Sequence, residues 1–246
     1  MRLTLALLFA LLGLSGSGSA QVWEKHLAPG LTYRMEFDPA GPRLIHALRF
    51  SLNNPTLKAA PELAELKVYS AGAFRGRETI GMLVKRSGAV AGVNADFFPP
   101  SGDPLGLMVR DGELLSLPHP DRTVFAWGLA GVAFGRASSA LEFTPDGGAA
   151  VRIDGFNQEC GLNDVCLFTE SAGLVVAKEP NVQLVLDVGK GKLPPSGEVE
   201  GTVRVVLSGP PTSVAPGTLV LAATGPKMAQ LQNLRTGTRF RMRWRV

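Results

Sequence analysis

The chain has 246 residues, with 25 Lys+Arg against 21 Asp+Glu, 45% apolar residues and 19% charged ones. So apolar a balance excludes an extensively disordered chain, and 29 Gly with 18 Pro describe a turn-rich, mostly β protein. The formal charge of +4 does not mark a nucleic-acid binder, because the arginines are dispersed apart from one C-terminal run and counterion release needs a clustered basic footprint.

Met1 and Arg2 make a short positive start, and Leu3 to Leu14 is an apolar run shorter than the ~20 residues of a membrane span. Ser15 to Ala20 are small, with Gly18 and Ala20 where a signal peptidase requires them. Residues 1–20 are therefore expected to be a signal peptide, with Gln21 opening the exported chain. No Cys stands directly after that point to carry a lipid, and no later stretch reads as a membrane helix. A secreted or periplasmic protein without a stable membrane anchor is expected.

Segments 32–37 and 43–52 alternate like strands around a turn at 38–42. His46 shares parity with Leu44, Leu48, Phe50 and Leu52, which predicts a core histidine. Residues 78–86 read as a helix: Ile80, Leu83 and Val84 form its stripe, Lys85 and Arg86 suit its C-terminal end, and Gly88 caps it. Residues 89–93 are predicted to form a fully buried strand of small side chains. Segments 105–110 and 113–116 flank Asp111-Gly112, a strong hairpin signal. Short strands are then expected at 123–127, 131–134, 141–143, 149–153, 165–169, 182–188, 202–207 and 218–223. In 238–246, Arg239, Arg241, Arg243 and Arg245 alternate with Phe240, Met242, Trp244 and Val246. That pattern predicts a strand with its apolar side on a sheet and its basic side at a solvated edge. One helix among many strands gives an α+β fold, a β-dominated mixed-sheet domain with few helices spanning 21–246.

Cys160 and Cys166 are six apart. In an oxidising compartment they close a small ring worth roughly 2 kcal/mol; the other reading is two separate buried thiols packed as small apolar groups. No His or third Cys lies nearby to make a zinc site.

Residues 88–116 hold the densest set of chemistry-bearing residues. A strand at 89–93 would deliver Asn94 and Asp96 to its mouth, where an amide offers donors and an acceptor and a carboxylate acts as a base or binds hydroxyls. The same two residues could equally cap a loop through side-chain-to-backbone bonds. Phe97 and Phe98 can stack on a sugar face or fill core, and Gly102 and Gly106 permit turns or close approach to a ligand.

The run Gly92 to Phe98, with Gly102 to Leu114, the preceding helix and the small-residue segment, resembles the phosphodiester glycosidase family. The resemblance continues in Ile153 to Asn157, Val165 to Thr169 and Leu234 to Arg239, spanning roughly residues 32–240. Ala95 stands where that family usually has Gly. The resemblance implies an exported hydrolase that cleaves a sugar-1-phosphodiester on the anomeric side and leaves a phosphomonoester. It implies Asp96 and Asn94 at the reacting centre, with Phe97, Gly102, Asp103, Gly106, Arg110 and Asn157 around the substrate, and Arg110 as phosphate partner or as a solvated hairpin arginine. No cofactor is expected, since Asp96 and Asp103 alone are a thin basis for a divalent metal. The partner is a glycan or sugar phosphate. The competing reading is a non-catalytic envelope or polysaccharide-binding protein on the same fold. The family pattern continues into a Gly-Gly-Pro segment and an Asp-Gly-Gly-Gly-Ser motif, neither of which occurs here. Half a site is therefore expected, with feeble activity alone and a partner chain supplying the rest.

Overall fold

The structure, a computed structural model, describes residues 21–41, 43–69, 76–128, 131–210 and 212–246. The expected signal peptide lies outside the described residues. The chain divides into two compact units, one ending at Lys58 and one running from Ala59 to Val246.

In the first unit, β1 (Gln21–Ala28), β2 (Leu31–Asp38) and β3 (Arg43–Phe50) form an antiparallel sheet in that order. β2 and β3 follow the alternation read from the sequence; β1 was hidden because Val22 and Trp23 are adjacent and blur the period. Gly30, at φ +76°, makes the first turn. Register places Trp23, Met35 and His46 side by side. Contrary to the parity argument, His46 is exposed. Its Nδ1 pairs with the Tyr33 hydroxyl, and Leu44 and Phe50 of the same face are exposed with it. A three-stranded sheet has no second layer of its own among the described residues of this unit, so parity identifies a face without burying it.

The second unit has a 3-10 turn at Ala64–Leu66 and then α1 (Ile80–Ser87). Thr79 caps it, its hydroxyl accepting from the Met82 amide at 3.3 Å, and Gly88 closes it at φ 68°. A tight hairpin follows, β4 (Met108–Arg110) and β5 (Glu113–Ser116). Asp111 and Gly112 turn it at φ 49° and 78°, as a two-residue turn with both φ positive demands. β6 (Val124–Gly128) and β7 (Gly131–Gly135) form a separate two-stranded ribbon.

The remaining strands build one eight-stranded sheet: β8 (Ala140–Pro145), β9 (Val151–Arg152), β10 (Gly155–Phe156), β11 (Val165–Phe168), β12 (Asn181–Asp187), β13 (Ser196–Ser208), β14 (Thr218–Thr224) and β15 (Arg239–Arg245). Their order is β10-β11-β14-β12-β13-β15-β8-β9. β10 and β11 are parallel and every other neighbouring pair is antiparallel, so the sheet is mixed. β14 is buried along its whole length and β12 along most of it, as expected of central, near-continuously apolar strands. Phe143, Phe156, Leu167, Leu184, Leu221, Phe240, Met242 and Trp244 meet in the main core. The fold is β-dominated α+β.

Two sequence expectations change. Residues 89–93 form no strand and are mostly exposed. A buried strand must satisfy its main-chain groups on a neighbour, and none of the described strands pairs with this segment. β15 does present its apolar side to the core, but it lies between β13 and β8 rather than at an edge. Its two central arginines are paired, Arg241 with Glu198 and Glu200 and Arg243 with Glu198, and Arg239 lies 3.8 Å from Asp146. Cys160 and Cys166 are disulfide-bonded with Cα atoms 5.7 Å apart, buried beside Phe168, Val175 and Val220.

Candidate functional site

Asp96 is the centre of a small polar cluster on the loop after α1. Its Oδ1 accepts from the Phe97 amide at 2.7 Å and from Arg122 Nη1 at 2.6 Å. Both partners of this ion pair remain about a third exposed, at 38% and 32% for their side chains. The Arg122 guanidinium also lies over the Phe97 ring, 5.4 Å from its centroid, so a single arginine touches a carboxylate and an aromatic face together. Gly106 completes the contact: a Cβ there would come within 2.5 Å of Asp96 Oδ2. The space a side chain would need at Gly106 is taken by Asp96 itself. The Gly106 carbonyl accepts from the Ser116 hydroxyl, which fixes this loop to β5.

Arg122 was not singled out by the sequence. It sits on a turn in which the Arg122 amide donates to the His119 carbonyl at 3.1 Å and the Asp121 amide to His119 Nδ1 at 3.2 Å. Arg136, just past β7, donates to the Pro120 carbonyl at 3.1 Å and so ties the open end of the ribbon, where Gly135 pairs with Val124, to the same turn. A signal existed in Pro118-His-Pro120 followed by Asp121-Arg122, but a turn carries no periodicity that would mark which side chain points where.

The other candidates separate. Asn94 is exposed two residues before Asp96, and Phe97 is 75% exposed. Gly102, at φ +87°, closes a turn by donating to the Pro99 carbonyl. Asp103 is buried and accepts from the Ser101 hydroxyl at 2.5 Å. Behind it lies the buried Tyr69 hydroxyl, which makes no hydrogen bond of normal geometry. Burial first, and then the nearby Asp103 charge, push that phenol well above its usual range. Arg110 is matched by Glu62 at 2.5 Å in a largely buried ion pair, so its charge already has a partner. Asn157 is buried, its amide donating to the Leu115 carbonyl and the Thr169 hydroxyl while its Oδ1 accepts from the Thr169 amide. Those bonds clamp β5, β10 and the end of β11 together.

The structure thus brings together Asp96, Phe97 and Gly106 from the predicted set, and adds Arg122. Among the described residues no group of three His, Cys, Asp or Glu side chains is placed to hold a metal, and no helix is long and apolar enough to cross a membrane.

No family model matches the chain, and no curated protein matches it. Solved structures do. A hypothetical protein from Synechocystis superimposes with a TM-score of 0.72 at 15% identity, over 92% of this chain and 41% of its own. A protein from Burkholderia pseudomallei K96243, called "Putative exported protein", superimposes with a TM-score of 0.63 at 15% identity, over 99% of this chain and 75% of its own. Likeness at this identity is likeness of fold. The chain spans well under half the length of the Synechocystis protein.

Proposed function

We propose that this is an exported hydrolase of the phosphodiester glycosidase type. Export is supported by the apolar leader with its small-residue end, the Cys160–Cys166 disulfide and the fold shared with a protein called exported. The observation that carries the chemistry is the Asp96–Arg122 pair, exposed on a loop mouth beside the Phe97 ring. In this reading Arg122 takes the place first given to Arg110 and pairs with the phosphate oxygens, for which a guanidinium fork is suited. Asp96 then turns to the sugar, accepting from a hydroxyl or from the attacking water, and Phe97 offers a ring to the apolar face of the sugar. Water supplies a hydroxyl to the anomeric carbon, the bond from that carbon to the phosphate oxygen breaks, and the proton ends on the released phosphomonoester. Asn94 is close enough in the chain to add an amide to the same sugar.

A second reading has its own support. Residues 92–98 are exposed, with no wall over them among the described residues, which suits reversible binding better than water exclusion. Incubation with a nitrophenyl phosphodiester of N-acetylglucosamine 1-phosphate separates the two. Release of nitrophenyl phosphate, reduced at least about 100-fold in both Asp96→Asn and Arg122→Gln, is the expected result. Binding of the ester without turnover selects the non-catalytic protein. Turnover unchanged in both variants removes this site from the reaction.

A further inference from the structure

We propose that the β6–β7 ribbon is a glycan-docking surface that takes the pyranose rings of a neutral, phosphate-free polysaccharide. The inference does not rest on the hydrolase reading. Phe125 stands opposite Phe134 and Trp127 opposite Val132, so these four side chains share one face of the ribbon. Their rings are already ordered: Phe125 stacks on Phe134 at 5.0 Å and on Trp127 at 5.1 Å. The Trp127 indole is held by a bond to the Ala59 carbonyl at 3.2 Å. Yet the face is open, with Phe125 50% and Phe134 72% exposed. A ligand meeting this stack has little ring-ordering entropy left to overcome.

The ligand class follows from what surrounds the rings. Neither strand contains a charged residue. A polyanion therefore finds no spare cation on the strands. Among the described residues, neither edge of the ribbon pairs with another strand, so main-chain N–H and C=O groups line both sides of the aromatic face. An alkyl chain would cover the rings and leave those polar groups dry and unmatched. A pyranose suits both, with C–H groups on one face to lie on a ring and hydroxyls around its rim to meet the main chain. The first ring pair begins three residues beyond Arg122, roughly 10 Å along an extended chain, so a glycan of a few units would run along the ribbon.

The test uses the full chain and phosphate-free probes, namely chitopentaose, cellopentaose and xylopentaose, by titration calorimetry. At least one should bind. Phe134→Ala should weaken that binding about ten-fold, and Phe134→Trp should retain it. Phe134 is exposed, so its truncation removes no core packing, and circular dichroism checks that the fold persists. Absence of binding by all three probes overturns the proposal, as does equal affinity in Phe134→Ala. Sedimentation showing that the native chain self-associates and that Phe134→Ala is monomeric also overturns it, because the ribbon would then be covered by a second copy. Failure of phosphodiester turnover has no bearing on any of these outcomes.

Discussion

At the scale of single residues, the same polar side chains serve either chemistry or construction, and burial decides which. Asn157 belongs to construction: at 1% exposure it spends both amide protons and its carbonyl on Leu115 and Thr169. It also holds a positive φ of 48°, which Asn tolerates better than most residues. Asn157→Ala leaves the Leu115 carbonyl and the Thr169 amide without partners in the core and adds backbone strain. The expected cost is about 3 kcal/mol, lowering Tm by on the order of 10 °C; an unchanged thermal midpoint would show that the clamp is dispensable. From sequence, the family resemblance set Asn94 at the reacting centre and Asn157 beside the substrate. Only the pairing of β10 with β11 makes one a clamp and leaves the other in solvent.

Elements were legible where their period was clean. The C-terminal end of α1 at Gly88, the β4–β5 turn, the two strands of the ribbon and the alternating β15 were legible, whereas α1 starts two residues later than its expected span, at Ile80 after Thr79. The failures also have a physical cause. Residues 89–93 carry strand-like composition, but a strand exists only with a neighbour, and neighbours are a property of topology. β15 was read as an edge because arginines protect edges, whereas here they face glutamates on β13 across the sheet. This ladder carries a pH signature. The hydrogen bond from Arg243, more than any other cause, holds the Glu198 carboxyl below its ordinary range. A carboxyl depressed in the folded state binds fewer protons than in the unfolded chain. Its contribution is therefore present above the ordinary glutamate range and is lost as the pH falls through the folded value. Carbon-detected NMR titration should find Glu198 titrating below an ordinary glutamate, and Arg243→Gln should bring it back up. The accompanying change in stability should be small, since the pair is exposed.

For the whole molecule, the informative quantity is apolar surface left outside any core. Val90, Val93, Phe97, Phe98, Phe125, Val132 and Phe134 of the second unit are all exposed, more than scattered surface residues would require. The purified protein should accordingly enhance ANS fluorescence while keeping a cooperative thermal transition. A protein that unfolds sharply and leaves the dye dark would mean that these side chains are covered in solution. Order along the chain has a temporal consequence as well. β15 is the last strand of the sheet, yet it sits inside it, and its partner β8 lies roughly a hundred residues earlier. Until Arg239–Arg245 has been synthesised, β8 and β13 both wait as open edges. The eight-stranded sheet of the second unit therefore cannot close strand by strand from its N-terminal side; it closes only when β15 arrives between β8 and β13.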